Sequence, residues 1–453
     1  MRAASVAQPA IHVFLDALER VYRGENGLMP EADLDPVGEL PVVEELPVPG
    51  QGGSRLLNQL VVLKLNGGLG TGMGLERAKS LIEVKEGLTF LDFTARHILH
   101  FRKTAEAPHL AFMLMNSFNT REDTLKHLAR YPELAGEGPM DFLQSQAPKL
   151  DATTLEPVRW PANPELEWCP PGHGDLYPSI AGSGVLARLL ARGIRYLFVS
   201  NSDNLGASVD LRILNHLSET NAPFLMEVAL RTPTDRKGGH LARRRADGAL
   251  VLRESAQCPK ADEAAFQDVD RHRYFNTNNL WIRLDLLDEE LKRRGGMLPL
   301  PLIRNVKTVD PRDSSSTKVL QLETAMGAAI ECFSGARAII SPRSRFAPVK
   351  TTSDLLALRS DAYRVTTDFR IELASERAGV PPDIELDPAV YKFLEGLDAG
   401  FPHGPISLLR CDRLRVVGSH VFEPGVEVVG SHEWRHGGGG AVRVESGRYG
   451  SSG

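Results

Sequence analysis

Leu65-Asn66-Gly67-Gly68-Leu69-Gly70-Thr71-Gly72-Met73-Gly74, closed by Lys79-Ser80, follows directly on the apolar run Leu60-Val61-Val62-Leu63-Lys64-Leu65. A short apolar run of that kind is what a parallel sheet buries. Five glycines within eight residues let backbone N–H groups approach an anion closely, and a helix-like segment opening beyond them would add its own N-terminal donors. The same glycines also suit a tight structural connection, so the stretch admits a phosphate cradle or a plain turn. Neither common glycine signature fits it. The spacing never gives G-x-G-x-x-G, and Ala78 stands where a Walker loop requires glycine ahead of Lys-Ser.

Outward from this turn, apolar strand candidates at His109–Met115, Tyr196–Ser200 and Phe224–Val228 alternate with helix candidates. One of these runs from Thr120 to Arg130, with Thr120 and Asp123 spaced like a capping box. The alternation predicts an α/β fold with a Rossmann-like, doubly wound, mostly parallel sheet, whose ligands lie at the carboxyl ends of the strands. Residues 57–360 form this expected main domain. Residues 1–56 carry a helix whose apolar positions Ile11, Phe14, Leu15, Leu18, Val21 and Tyr22 repeat at helical spacing. A proline- and acid-rich stretch from Met29-Pro30 to Pro49-Gly50 then reads as an extended connection that wraps or links.

Residues 361–453 read as a small β-rich region. Val-Val-Gly-Ser-His occurs at Val416–His420 and again at Val428–His432, an offset of twelve that is twice the period of a hexapeptide β-helix. A short β-helix over about 405–434 and a simple hairpin both accommodate it. Gly437-Gly438-Gly439-Gly440 and Gly450-Ser451-Ser452-Gly453 read as a flexible tail.

The 453 residues are 42% apolar and 25% charged, with a net charge of −5, which excludes disordered and collagen-like classes and offers no general basic field for nucleic acid. A local basic cluster, Arg231 to Lys237 with Arg243-Arg244-Arg245, is either solvated surface or the border of an anion site. Four widely spaced cysteines suggest neither a disulfide framework nor a zinc knuckle, and no run is long enough to span a bilayer. A cytoplasmic protein with no membrane partner is the expectation.

Four further stretches carry chemistry. In Tyr196-Leu197-Phe198-Val199-Ser200-Asn201-Ser202-Asp203-Asn204 a strand runs into polar side chains, and Asp203 suits a hard cation that completes its shell with phosphates, or else a turn. Pro170-Pro171-Gly172-His173-Gly174-Asp175 displays an imidazole on a rigid turn. Phe275-Asn276-Thr277-Asn278-Asn279 sets three amides beside an apolar run, where each donates and accepts as sugar hydroxyls do. Pro348-Val349-Lys350-Thr351-Thr352-Ser353-Asp354 places a cation before a helix start, and both favour phosphate.

These motifs, in matching order from about Val61 to Leu355, resemble the UTP–glucose-1-phosphate uridylyltransferase (UDP-glucose pyrophosphorylase) family of the eukaryotic-like type. The resemblance implies a GT-A-like nucleotidyltransferase that uses Mg²⁺ to join UTP and glucose 1-phosphate into UDP-glucose and pyrophosphate. It implies that Asp203 holds the metal and that Lys79 and Lys350 act on the phosphates. UTP would meet Leu65, Asn66, Gly67, Gly68, Lys79, Gln144, Gly172, Asn201, Asp203 and Lys350, with Gln146 a rival for Gln144. The sugar phosphate would meet Gly67, Gly68, His173, Asn201, Glu227, Gly239 and Asn278. Arg77-Ala78-Lys79-Ser80 departs from the family's usual Gly-Pro-Lys-Ser, and Gly72 replaces a residue that is often serine. A pyrophosphorylase for galactose 1-phosphate or an N-acetylhexosamine 1-phosphate, or a non-catalytic sugar-nucleotide sensor, are the alternatives. In some relatives the C-terminal β-helix mediates self-association, which is the expectation for any protein partner.

Overall fold

The computed structural model describes residues 1–50, 53–136, 138 and 140–450. Its central sheet is built from β1 (Leu60–Asn66), β2 (Ala111–Asn116), β3 (Asp141–Leu143), β4 (Tyr196–Asn201), β5 (Phe224–Leu230), β6 (His240–Arg244), β7 (Tyr274–Arg283) and β8 (Arg337–Ile340). Helices α1 (Gln8–Tyr22), α2 (Phe90–Thr104), α3 (Arg121–Leu128), α4 (Leu211–Thr220), α5 (Leu284–Arg293) and α6 (Thr352–Arg359) surround it. Strand order is β3-β2-β1-β4-β7-β5-β8, all parallel except β7, which runs antiparallel to both neighbours. β6 branches from the start of β7 through His240 and Phe275.

Alternation along β1 divides the core into two layers. Val61 and Leu63 join the cluster containing Leu176, Tyr177, Leu284 and Leu287, while Leu60 and Val62 join Leu91, Ile98, Ile213 and Leu217 on the other face. Both faces are thus covered by helices, as a parallel sheet requires. From β1 the chain proceeds to β2 and β3 on one side, then returns to β4 on the other. The crevice where that direction reverses lies between the carboxyl ends of β1 and β4, joined by a hydrogen bond from Ser202 N–H to the Leu65 carbonyl at 3.1 Å.

α3 starts one residue after Thr120, but the Thr120 hydroxyl accepts the Ser117 N–H at 2.9 Å and makes no cap bond forward to Asp123. The expected capping box is therefore replaced by a bond closing the preceding turn. The acidic N-terminal connection does wrap: Leu34–Asp35 pairs with Arg243–Arg244 of β6, and the Pro41 carbonyl accepts the Ile340 N–H at 2.8 Å. Part of the basic cluster is spent on structure. Arg231 is buried and donates to the carbonyls of Phe266, His272 and Arg236, Arg244 pairs with Glu331 and Asp247, and Arg245 pairs with Asp35.

In the C-terminal region β9 (Ser407–Val417), β10 (Val426–Arg435) and β11 (Gly447–Tyr449) stack in parallel, with Asp383–Leu386 parallel to β9. His420–Phe422 and Val442–Val444 form a second parallel pair. Successive parallel rungs make a coil and exclude a hairpin. The repeated pentapeptides do not stack on one another, however, because Leu414 lies beside His432 and Val416 beside Trp434. The coil is longer than the twelve-residue offset. Gly437–Gly440 leads into strand Val442–Val444, so it is an internal connection, while Ser451–Gly453 lies outside the described residues.

A third core is continuous across residue 360. Met73 of the glycine turn, Phe90 and Phe93 of α2, and Leu355 and Leu356 of α6 pack with Tyr391, Leu397, Leu408 and Phe422. The turn and α6 therefore rest on the C-terminal region.

Candidate active site

The glycine turn folds back on itself at the end of β1. Lys79 N–H donates to the Gly68 carbonyl at 3.2 Å, and Leu69 bridges Ala78, so Lys79 is returned to the mouth of the crevice. Its Nζ lies 2.7 Å from Asp203 Oδ2 and also donates to the Val349 carbonyl. Lys350 Nζ reaches the same Oδ2 at 3.2 Å. Two cations from segments far apart in the chain thus converge on one carboxylate at the switch point. Asp203 is only 8% exposed, and its Oδ1 has no hydrogen-bond partner among the described residues. An orphaned buried carboxylate oxygen is costly unless a ligand completes it.

Gly67 and Gln144 meet directly, since a Cβ on Gly67 would collide with the Gln144 amide. Gln144 is itself held by its N–H on the Asn116 carbonyl at 2.8 Å. Gln146, the rival, lines a small cavity beneath α1 with Phe14 and Ala17. Around Gly68, by contrast, the Cβ direction is open. Asn66 is buried. Its Nδ2 donates to Asn116 Oδ1 at 2.8 Å and Thr124 Oγ1 at 2.9 Å, which fixes the strand end under the turn.

Gly172 has φ +81°, and the space of its missing side chain is filled by the Thr324 backbone. The glycine is required there by that close approach. Next to it, His173 Nδ1 accepts the Met326 N–H at 2.9 Å, which places the ring proton on Nε2. Burial, and then the charge of Lys350, push the imidazole down to about 4. His173 is therefore a neutral donor at pH 7. Asp175 accepts the Ser145 N–H and the Ser179 hydroxyl, both at 2.6 Å, tying this turn to the segment that carries Gln144. Burial pushes its carboxyl up to about 6.

Asn278 sits in a bulge. Glu227 pairs with Asn279 but Val228 pairs with Asn276, so β7 carries two extra residues, and Asn278 adopts φ +59°. Bulges of this sort re-aim a side chain out of the ladder. Asn276 and Asn278 brace each other, Oδ1 of Asn278 accepting from Asn276 Nδ2 at 3.0 Å. The Gly239 carbonyl accepts the Asn276 N–H, and a Cβ on Gly239 would strike Glu254, so Gly239, Asn276, Asn278 and Glu254 form one group. Glu254 is absent from the sequence expectations; burial raises its pKa beside the Asn276 amide.

Glu227 lies beneath the crevice and not in it. It is wholly buried, and its oxygens are taken by Arg345 at 2.6 and 2.7 Å, Trp281 Nε1 at 2.8 Å and Asn279 Nδ2 at 3.3 Å. Lys64, also unforeseen, is buried under the switch point and donates to Ser200 Oγ at 2.7 Å and the Ala207 carbonyl at 2.8 Å. Burial lowers its pKa to about 7. A lone lysine inside an apolar strand is the signal that marks it.

A doubly wound sheet with a glycine-rich turn and paired lysines at its switch point defines a nucleotide-binding α/β protein. The sequence model of the family described as UTP–glucose-1-phosphate uridylyltransferase matches residues 13–428, and the chain belongs to that family. The enzyme of that name from Saccharomyces cerevisiae is 44% identical over 364 residues, covering 80% of this chain and 71% of the relative. That from Solanum tuberosum is 43% identical, covering 83% and 76%. Among solved structures, UDP-glucose phosphorylase from Trypanosoma brucei is 48% identical with a TM-score of 0.91, covering 99% of this chain and 96% of that one. A variant of UDP-glucose pyrophosphorylase from Leishmania major, in complex with UDP-glucose, is 47% identical with a TM-score of 0.89, covering 99% and 98%.

Proposed function

We propose that this chain is a uridylyltransferase that makes UDP-glucose and pyrophosphate from UTP and glucose 1-phosphate. The observation that carries this reading, within the family, is the convergence of Lys79 and Lys350 on Asp203 beside the Gly67–Gly68 turn. A phosphate oxygen of glucose 1-phosphate attacks the α-phosphorus of UTP, and the bond to the bridging oxygen breaks, its electron pair leaving with pyrophosphate. The attacking oxygen is already anionic, so no general base is required. The barrier lies in bringing two anions together and in stabilising charge on the transferring group.

Each residue then has a task. Gly67, Gly68 and Leu65 present backbone to the phosphates, with Asn66 bracing the strand end beneath them, and Gln144 against Gly67 offers its amide to the uracil edge beside Gly172. Lys79 and Lys350 exchange their shared carboxylate for phosphate oxygens. Neutral His173 donates Nε2–H to the sugar phosphate without competing as a cation. Asn278 and Gly239 face the hexose, with Asn201 at the end of β4 between the two substrates. Glu227 supports this wall from below.

The donor set fits a hard divalent cation such as Mg²⁺, because Asp203 Oδ1 is a buried carboxylate oxygen without a partner among the described residues. Asp203 would hold it with substrate phosphates, and bound there it would neutralise phosphate charge as a Lewis acid.

Pyrophosphate release by the purified protein with Mg²⁺ and UTP, across glucose, galactose and N-acetylglucosamine 1-phosphates, tests the reading. Rapid release with glucose 1-phosphate alone supports it. Release with another sugar relocates the specificity, and binding without release sinks the enzyme assignment. Asp203→Ala should reduce turnover on the order of 10³-fold. We also infer a cytoplasmic location from the four free thiols, and self-association through the edge strand β11, checked by light scattering.

A further inference from the structure

One amide beneath the lysine pair joins the elements that position it. Asn204, 2% exposed, directly follows Asp203. Its Nδ2 donates to the Arg345 carbonyl at 3.1 Å and to Asn279 Oδ1 at 3.3 Å, and its Oδ1 accepts the Ala347 N–H at 3.0 Å. The orientation is fixed by its partners, since a flipped amide would set N–H against N–H. Its main chain bridges to Pro348, and Val349 N–H closes on the Asp203 carbonyl at 3.2 Å. Lys350 follows at once.

The segment 345–350 is anchored in turn. Arg345 grips both oxygens of Glu227 and donates to the Ser208 carbonyl at 2.9 Å, so it ties β5 to the loop that carries Asp203. Asn279 of β7 donates to the Arg345 carbonyl at 3.2 Å as well as to Glu227. Two strands and two loops therefore share one buried hydrogen-bond network, and Asn204 is its link to the crevice. A fully satisfied buried network is rigid, and rigidity there transmits to the groups above it.

We propose that Asn204 is a positioning residue that sets the spacing of Asp203 and Lys350, with the Arg345–Glu227 pair as its fixed base. Asn204 touches no substrate in this assignment and acts through Lys350. The inference rests on the proposed roles of Asp203 and Lys350, and its test separates the two.

Asn204→Ala, Lys350→Ala and the double variant are compared for kcat, KM and UTP affinity by calorimetry without divalent metal. Asn204→Ala is expected to lower kcat on the order of 10²-fold, because a displacement near 1 Å is enough to do so. UTP affinity should fall no further than it does in Lys350→Ala, since the turn and Gln144 are untouched and only the Lys350 contact is displaced. The double variant should be no slower than Lys350→Ala, because a residue acting through another adds nothing once that other is gone. Multiplicative losses, or a rise in KM at unchanged kcat, overturn the positioning role. Unchanged turnover in Lys350→Ala overturns the underlying assignment instead. If the alanine variant is unfolded by circular dichroism, Asn204→Ser, which keeps one polar atom in the same space, takes its place in every measurement, and the same results support or overturn the role.

Discussion

The mouth of the crevice and the layer beneath it use the same residue types to opposite ends. At the mouth, Asp203 shares one oxygen between two lysines and leaves the other without a partner among the described residues. Beneath it, Glu227 has both oxygens taken by Arg345, Trp281 and Asn279. The first region is electrostatically incomplete and therefore ready for a ligand. The second is closed and therefore able to hold its neighbours still. At this crevice the unpartnered oxygen belongs to the layer that meets a ligand, and the satisfied carboxylate to the layer that holds it.

Removing the base should have the largest effect. Arg345→Met leaves Glu227 buried and unpaired, with an expected loss of roughly 3–5 kcal/mol in urea unfolding, largely recovered when Glu227→Leu is added. A loss below about 1 kcal/mol would erase the distinction between the two layers. At the mouth, Lys350→Ala should cost turnover on the order of 10²-fold, about 2.7 kcal/mol, yet barely move the unfolding midpoint. Its side chain is 58% exposed and Lys79 still covers the carboxylate.

The pH response sharpens the contrast further. Asp175, raised by burial to about 6, binds its proton more tightly when folded, so its contribution is fully present below about 4 and is lost as pH rises through 6. Asp175→Asn should remove that slope, on the order of 3 kcal/mol across the window, in urea midpoints taken at successive pH values. The smallest stability change belongs to Gly68→Ala. Nothing lies where its methyl would point, so the unfolding midpoint should shift by less than about 0.5 kcal/mol while UTP affinity falls several-fold. Unchanged affinity would remove Gly68 from the phosphate wall.

Much of the sheet was legible because apolar runs such as Leu60–Leu65 and Tyr196–Ser200 report burial on both faces. The antiparallel course of β7 was not, since periodicity carries no direction. Glycine spacing, strand ends and the motif order singled out Asp203, Lys79 and Lys350, and the structure brings these three side chains together. Glu227 was expected at the sugar phosphate by resemblance alone, and its pairing was not legible, because Arg345 lies too far along the chain to be seen as its partner. The bulge that turns out Asn278 depends on the β5 register, which local sequence does not encode. The twelve-residue repeat misled on coil length because rung spacing follows the turns between strands, which differ in size.

The continuity of the third core gives the C-terminal coil two unlike ends. Its near end backs Met73 and α6, so shortening the chain there would unseat both lysines. Its last described rung, Gly447–Tyr449, pairs with the rung before it. Coils that contact nearest neighbours alone grow or shrink by addition at the tip. The two parts therefore answer to change differently: a substitution in the near rungs reaches the lysines through Met73 and α6, whereas one on β11 acts first on the rung beside it.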